Sequence, residues 1–248
     1  MSVEESISST KNPSVLAAVR LHRARHRRTE SQTLIEGPDV VAEAVAAGAG
    51  VSEIFAVSEE ERSLALETGA AFHLVTDHVL QRVSGTENPR GPVAIIDIPE
   101  SQVPVERKVL VAWAVSDPGN CGTLLRTAAV FGYGYVSGPG SADPWSPKVL
   151  RSAAGGHFQT SVGLISSIAD LGERQVVGTV PRGGEPARGV TAGTAIVVGS
   201  EAHGLPPEVL ERCDRLVSVP MPGGGESLNV AVAGAIVAYL GVTESETA

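Results

Sequence analysis

Short apolar runs alternate with amphipathic or alanine-rich stretches along most of the chain. The clearest run, VLVAWAVSD at residues 109–117, is almost continuously apolar and predicts a strand that a parallel sheet buries on both faces. Helical periodicity covers residues 13–28 and residues 226–240. The alternation of these two patterns predicts an α/β fold built on a parallel sheet.

The other predicted elements follow the same alternation. Short β-rich apolar runs bounded by glycine, proline or serine predict strands at residues 33–37, 52–58, 71–75, 91–98, 194–200 and 215–220, with a shorter one near Tyr135. Helices are predicted between them at residues 38–48, 59–68, 122–131 and 147–154.

The length of 248 residues allows one large domain or two small ones. Residues 99–107 contain two prolines and several polar residues without periodicity, which is typical of a linker. We therefore expect a smaller first domain at residues 1–98 and a second domain at residues 108–248, joined by that linker.

The charge is unevenly distributed. The net charge is −9, yet residues 11–28 hold six basic side chains and no acidic one, which are Lys11, Arg20, Arg23, Arg25, Arg27 and Arg28. An acidic protein with one basic face can still bind a polyanion, because only that face has to displace counterions from phosphate. A solvated amphipathic helix with Leu16 and Val19 packed inward explains the segment equally well.

Cysteines, histidines and hydropathy exclude several classes of protein. The two cysteines, Cys121 and Cys213, belong to no CxxC pair, and the six histidines share no ligand spacing, so neither a disulfide framework nor a metal site is expected. The longest apolar stretch, at residues 230–242, is too short to span a bilayer. No signal peptide is recognisable, and we expect a cytoplasmic protein.

Common nucleotide-binding motifs are also excluded. Residues 132–138 miss the GxGxxG spacing by one residue, and the glycines of residues 199–204 are not followed by the lysine of a P-loop. Three glycine-rich junctions remain, DPGNCG at 117–122, VVGSEAHG at 197–204 and VPMPGGGESLN at 219–229. Loops at the carboxyl ends of parallel strands form a ligand crevice, so we expect the three junctions to converge.

These junctions, in this order, resemble the signature motifs of the SpoU (TrmH-like) RNA ribose 2′-O-methyltransferases of the SPOUT superfamily. The first runs from Asn120 to Arg126 as N-x-G-x-x-x-R, and the third ends with Ser-Leu-Asn at residues 227–229. A further segment, DPWSPKVLRSAAGG at residues 143–156, is similar to the family's D-P-x-S-P-K-x-x-R-x-S-A-G. Four motifs in order are far more specific than any one of them.

The resemblance implies a fold that periodicity does not reveal. It implies a parallel sheet whose C-terminal part threads a trefoil knot, and a homodimer formed through the knotted domain. It also implies a smaller N-terminal α/β domain that resembles a ribosomal protein and binds RNA. The knot loops would bind S-adenosylmethionine, without a metal, through Gly199, Ser200, Gly204, Val219, Pro220, Met221, Ser227 and Leu228.

The implied reaction is methylation of a ribose 2′-hydroxyl in RNA, and large-subunit rRNA is the expected substrate because the N-terminal part is similar to that of rRNA-directed members. A tRNA substrate is the first alternative. A catalytically inactive RNA-binding protein of the same fold is the second. It is disfavoured because such a protein has no chemical need for all five polar residues Asn120, Arg126, Glu201, Ser227 and Asn229.

The resemblance assigns these five residues to catalysis. Arg126 matches the arginine that activates the hydroxyl, an unusual task for a guanidinium, so a phosphate clamp is an alternative. Asn120 can hold the ribose, fix Arg126 or cap a helix, and Glu201 can pair with Arg126, face the sulfonium or lie on the surface. Ser227 and Asn229 begin the last predicted helix and can cap it or face the crevice.

Two further basic residues are candidates for RNA binding. Lys148 and Arg151 lie three positions apart, on one face of a predicted helix. They can contact phosphate or be ordinary solvated charges.

Overall fold

The computed structural model describes residues 6–188 and 193–243, which fold into two compact units. The first unit comprises residues up to Glu100 together with residues 145–147, and the second comprises residues 101–144 and those from Lys148 onward. Within these ranges, no helix is both long and apolar enough to cross a membrane.

A four-stranded mixed sheet forms the first unit. Its strands are β1 (Gln32–Glu36), β2 (Val51–Ala56), β3 (Ala71–Leu74) and β4 (Val93–Asp97). In the order β1-β4-β2-β3, the first two pairings are antiparallel and the β2–β3 pairing is parallel. The helices are α1 (Pro13–Arg20), α2 (Ala24–Glu30), α3 (Pro38–Ala46), α4 (Arg62–Thr68) and α5 (Asp77–Ser84).

The basic segment forms two helices instead of the single helix predicted over residues 13–28. Helix α1 begins at Pro13, and the Asn12 side chain caps it by accepting a hydrogen bond from the Ser14 amide. Helix α1 ends at Arg20, residues 21–23 form a turn, and α2 begins at Ala24. Val15 and Ala18 face the core, whereas Leu16 is exposed, so the expectation that Leu16 packs inward is wrong.

A seven-stranded sheet forms the second unit. Its strands are β5 (Val109–Ala112), β6 (Gly134–Ser137), β7 (Val162–Leu164), β8 (Gln175–Thr179), β9 (Glu185–Pro186), β10 (Thr194–Val198) and β11 (Arg215–Ser218). All pairings are parallel in the order β7-β6-β5-β10-β8-β11-β9, which confirms the predicted parallel sheet. The helices of this half of the chain are α6 (Pro118–Phe131), α7 (Pro147–Ala153), α8 (Pro207–Leu210) and α9 (Val230–Thr243).

The central strands of this sheet are buried on both faces, as predicted for β5. Leu110 and Ala112 belong to one apolar cluster, which also contains residues of α6 and α9. Val109 and Val111 belong to the cluster on the opposite face. Strand β8, which pairs with β10 and β11, was not predicted because residues 175–179 are short and contain a glycine.

Two helices begin four residues away from their predicted starts. Helix α6 starts at Pro118, four residues before the predicted start, because the Asp117 carboxylate accepts a hydrogen bond from the Asn120 amide and Pro118 fits the first helical position. Helix α9 starts at Val230, four residues after the predicted start at 226, because Asn229 caps it instead. Residues 226–229 are therefore free to take part in a loop.

Candidate active site

Three strands near the middle of the second unit's sheet, β5, β10 and β11, end at its carboxyl edge. Strand β5 pairs with β10, and β8 lies between β10 and β11. The loops that follow β5, β10 and β11 carry the three glycine-rich junctions. Because all the strands are parallel, these loops leave the sheet at the same edge, where a ligand crevice is expected.

Asn120 links the three junctions directly. Its Nδ2 donates a hydrogen bond to Glu201 Oε1 on the loop after β10. Its Oδ1 accepts one from Asn229 Nδ2 at 2.9 Å, on the loop after β11. The amide of Asn120 thus donates to one loop and accepts from the other, which confirms that these three junctions converge. The two hydrogen bonds fix the orientation of the Asn120 amide, with its nitrogen toward Glu201 and its oxygen toward Asn229.

Asn229 has a second role at the start of α9. Its Oδ1 accepts hydrogen bonds from the backbone amides of Ala231 at 2.9 Å and Val232 at 3.2 Å. One side chain therefore caps the helix with its oxygen and reaches Asn120 with its nitrogen. Ser227 lies two residues before this cap, is exposed, and makes no capping bond among the described contacts.

The loop after β10 is a tight bend that excludes side chains at its base. Ser200 and Gly204 pair backbone to backbone at 3.0 and 2.9 Å. A β-carbon on Gly199 would lie 2.3 Å from the carbonyl carbon of Gly204, so no other residue fits at position 199. Gly204 itself has φ of +66°, in the left-handed region. Backbone groups consequently form this wall of the crevice.

A cavity of about 640 Å³ lies among the loops after β8, β10 and β11. Its inner wall is apolar and includes Leu205, Val217 and Val237. Seven of the eight residues that the family resemblance assigns to the cofactor line it, namely Gly199, Ser200, Gly204, Val219, Met221, Ser227 and Leu228, whereas Pro220 does not.

The volume and the lining of this cavity fit S-adenosylmethionine. The volume falls within the ~300–1,000 Å³ of small-molecule sites. The apolar inner wall suits a nucleobase, and the side-chain-free bend at Gly199 lets backbone amides and carbonyls reach the polar edges of a ligand.

One side of this cavity is formed by residues that the sequence patterns did not predict to be part of a site. Thr179, Val180, Pro181 and Arg182 follow β8 and line it, and Glu226 lines it from the loop before α9. The signal was present as a glycine-bearing bend, TVPRGGEP at residues 179–186. It was overlooked because the strand before it was not recognised.

Arg126 stands apart from the hydrogen-bonded group. It lies on α6, is exposed, and bonds to neither Asn120 nor Glu201. Of the alternatives left open, a bond from Asn120 to Arg126 and an ion pair between Glu201 and Arg126 are not formed in this structure. The Asn120 amide and the Glu201 carboxylate bond to each other, and the guanidinium stays available for a ligand.

Cys121, inside the first junction, is a core residue. Its Sγ donates to the Val115 carbonyl oxygen at 3.1 Å, and burial raises the pKa of the thiol. A protonated, buried thiol is a poor nucleophile. Among residues 6–188 and 193–243, no cluster of three or more histidine, cysteine or acidic side chains could hold a metal ion.

The basic segment of the first unit is mostly on the surface. Lys11, Arg20, Arg23, Arg25 and Arg28 are exposed and form no ion pair with any described residue. Arg27 is the exception, because it is only 4% exposed and its Nη1 donates to the carbonyls of Leu21 at 2.8 Å and His22 at 3.1 Å. Its expected contact with RNA is therefore replaced by a structural role at the turn between α1 and α2.

The second pair of candidate RNA contacts lies on α7. Lys148 and Arg151 are both exposed there. Their spacing of three residues places them on the same side of the helix.

Comparison with known proteins agrees with this geometry. Residues 107–239 match the SpoU rRNA Methylase family, and residues 12–94 match the MRM3-like substrate binding domain. The chain is 37% identical over 241 residues to the 23S rRNA (guanosine(2553)-2′-O)-methyltransferase RlmP of Bacillus subtilis (strain 168), covering 94% of this chain and 97% of that protein.

Solved structures show the same architecture over nearly the whole chain. The SpoU methyltransferase AviRb from Streptomyces viridochromogenes, in complex with the cofactor AdoMet, has a TM-score of 0.85 at 25% identity and covers 94% of this chain and 98% of that one. An RNA 2′-O ribose methyltransferase has a TM-score of 0.82 at 28% identity, with coverage of 98% and 100%. With more than half of its residues matched by the family model, this chain belongs to the SpoU rRNA methylase family.

Proposed function

We propose that this protein transfers a methyl group from S-adenosylmethionine to a ribose 2′-hydroxyl of RNA, and that the RNA is large-subunit rRNA. The observation that carries the proposal is the Glu201–Asn120–Asn229 chain of hydrogen bonds, which joins three loops beside a cavity of small-molecule size. A relative named as a 23S rRNA 2′-O-methyltransferase, aligned over 94% of the chain, supports the substrate.

The cavity is the proposed binding site of the methyl donor. S-adenosylmethionine, when bound, provides a methyl group on a positively charged sulfur. The backbone of residues 199–204 and the apolar wall hold the donor, while Ser227 and Glu201 line the same cavity. A fixed carboxylate near a cationic donor is electrostatically favourable, and the bond from Asn120 fixes the Glu201 carboxylate.

We assign Arg126 to the RNA side of the reaction. Its guanidinium is exposed, carries a permanent charge and presents several donors, so it can hold the phosphate next to the reacting ribose and orient the 2′-hydroxyl. Holding the oxygen in line with the methyl group converts an encounter into a positioned reaction. Asn120 and Asn229 then keep the surrounding loops in place.

The two units divide the task in this proposal. Residues 1–98 bind the RNA through the exposed cations of α1 and α2, residues 99–107 link the domains, and residues 108–248 carry the transfer. Lys148 and Arg151 of α7, which are both exposed, add further phosphate contacts. The match of residues 12–94 to a substrate binding domain supports this division.

We also propose that the protein forms a homodimer through its second domain. The C-terminal part of this domain is proposed to be knotted. Helices α6 and α9 pack together and expose large apolar side chains, Val130 at 65%, Val232 at 47% and Tyr239 at 53%. The Tyr239 ring lies 5.9 Å from that of Phe131, which enlarges the patch. Such a patch on a soluble protein favours association.

The two cysteines are both free thiols, which favours the reducing cytoplasm as the compartment.

Two measurements test the function. Binding of S-adenosylmethionine by calorimetry, with a chelator present, is expected at micromolar to submillimolar concentration. Ribose methylation mapped across total RNA from cells with and without the gene is expected to differ at one rRNA position. A difference confined to tRNA would select the alternative substrate, and cofactor binding without any methylation difference would select an inactive RNA-binding protein.

A further inference from the structure

The cofactor cavity contains one permanently charged cation, Arg182. It lies on the bend between β8 and β9, and among the described residues that line the cavity it is the only lysine or arginine. The other charged or titratable lining residues are Glu201, Glu226 and His203. The cavity is therefore lined by two carboxylates and one guanidinium.

The bend that carries Arg182 is held closely against β11. The Val180 amide donates to the Val217 carbonyl at 2.9 Å, and Ser218 Oγ donates to the Gly184 carbonyl at 3.0 Å. A β-carbon at Gly184 would lie 2.6 Å from the backbone of Val217, so only glycine permits this approach. Bonds on both sides of residue 182 thus fix where its backbone lies relative to the cavity.

The Arg182 side chain is only partly used by the protein. Its Nη2 donates to the Gly225 carbonyl at 3.3 Å, at the long end of the hydrogen-bond range. A guanidinium has five N–H donors, and the one described bond leaves donors for a ligand. The side chain is exposed and reaches across the cavity mouth to the glycine-rich loop before α9.

The charges of the lining match those of the cofactor in the proposed function. S-adenosylmethionine carries one carboxylate, one ammonium and one sulfonium group. Glu201 and Glu226 complement the two cationic groups, and among the described lining residues Arg182 alone carries a permanent charge that complements the carboxylate. An arginine suits this task because its fork of donors matches both carboxylate oxygens.

We propose that Arg182 binds the carboxylate of the methionine moiety of S-adenosylmethionine and so sets the affinity for the amino-acid end of the cofactor. This inference rests on the proposed function, because it takes the cavity to be the cofactor site. The Gly225 bond then has a second effect, since it couples carboxylate binding to the position of Gly225.

The experiment compares two ligands that differ only in the carboxylate. S-adenosylmethionine and decarboxylated S-adenosylmethionine are titrated into the full-length protein and into Arg182→Gln and Arg182→Lys. Arg182→Gln is expected to weaken S-adenosylmethionine binding roughly ten- to hundredfold, as for loss of a charge-assisted hydrogen bond. Binding of the decarboxylated ligand is expected to change less than about twofold, and Arg182→Lys to recover part of the loss.

Arg212→Gln is the matched control, because it removes the same charge from an exposed arginine that lines a separate depression with Gln175 and Asp214. It should leave both affinities unchanged. Equal weakening of both ligands in Arg182→Gln would mean that Arg182 only shapes the loop, and unchanged binding of both would also overturn the inference. Weaker RNA binding with unchanged cofactor affinity would assign Arg182 to an RNA phosphate instead. A wild-type protein that binds neither ligand would overturn the proposed function and this inference together.

Discussion

The polar groups of the two units are arranged in opposite ways. In the second unit, Asn120 bonds to both Glu201 and Asn229, so the three side chains form one connected chain. In the first unit, Arg20, Arg23, Arg25 and Arg28 are exposed and form no ion pair among the described residues. A bonded group gives fixed geometry, which a reaction needs, whereas exposed like charges give long-range attraction to a polyanion.

This contrast leads to different expectations for substitutions in the two units. Changes in the bonded group should alter rate or cofactor affinity at every salt concentration. Changes among the exposed cations should alter mainly the salt dependence of RNA binding.

The largest effect is expected at Arg126. Arg126→Ala should reduce methyl transfer about a thousandfold, because the guanidinium is the group we assign to the reacting ribose phosphate. Cofactor affinity should stay within about twofold, and the free energy of unfolding within ~0.5 kcal/mol, since the side chain is exposed and makes no described bond. Transfer of labelled methyl groups and calorimetric titration measure the two quantities. Equal loss of transfer and cofactor affinity would contradict the assignment.

Asn120→Ala comes next. It removes the link between the loops after β10 and β11, and a small displacement of positioned groups can reduce transfer about a hundredfold. Thr123→Ala is the matched control on the same helix, because within the described part of the chain its hydroxyl bonds to the Gly119 carbonyl and not to another loop. Single-turnover kinetics at saturating cofactor measure the effect. Similar rates for the two variants would show that the hydrogen-bond chain does not support catalysis.

Gly199→Ala is expected to weaken cofactor binding more than about tenfold and to cost roughly 1–3 kcal/mol of stability, as overpacking does. Its β-carbon would collide with the backbone of Gly204, whereas the same change at Gly223 meets nothing within 4 Å. Gly223→Ala is therefore the control, and we expect nearly wild-type affinity. Calorimetry and urea unfolding distinguish the two variants, and a tolerant Gly199 would show that the bend can open.

In the first unit, replacing Arg20, Arg23, Arg25 and Arg28 by Gln should lower the slope of log affinity for RNA against log salt by about 3. Deleting the segment would confound the measurement, because Val15 and Ala18 of α1 are buried in the core. Arg27→Lys is a useful contrast, since Arg27 braces the turn between α1 and α2 and should affect stability more than salt dependence. An unchanged slope in the variant with all four substitutions would show that these arginines are ordinary solvated charges and do not contact RNA.

Substitution of His157 is expected to have the smallest effect on stability at neutral pH, because this residue influences stability mainly in acid. Burial lowers the pKa of this residue to about 4, whereas in the unfolded chain it is near 6.5. The unfolded state therefore binds the proton first, and stability falls as pH drops below 6.5, by roughly 2 kcal/mol between pH 7.5 and 5. His157→Gln should reduce this pH dependence in urea unfolding of the protein, and an unchanged pH dependence in the variant would contradict the assignment to His157.

Local patterns predicted the parallel sheet, the doubly buried strand β5 and the convergence of three glycine-rich junctions. They failed where one local signal was weak or where a capping side chain overrode periodicity. Strand β8 is short and contains Gly178, and with it the Arg182 side of the cavity was lost. The start of α9 was misplaced because Asn229, rather than Ser227, provides the cap.

The order of residue types along the chain determined the architecture of the second unit and the chemical groups available to the site, because strand burial and loop glycines are local requirements. Only the tertiary structure decided which groups meet. Asn120 bonds to side chains 81 and 109 positions away because β10 inserts between β5 and β8 in the sheet. Packing of the same kind buried Arg27 among the carbonyls of its own turn and left its neighbours in solvent, since only the folded chain sets the environment of each charge.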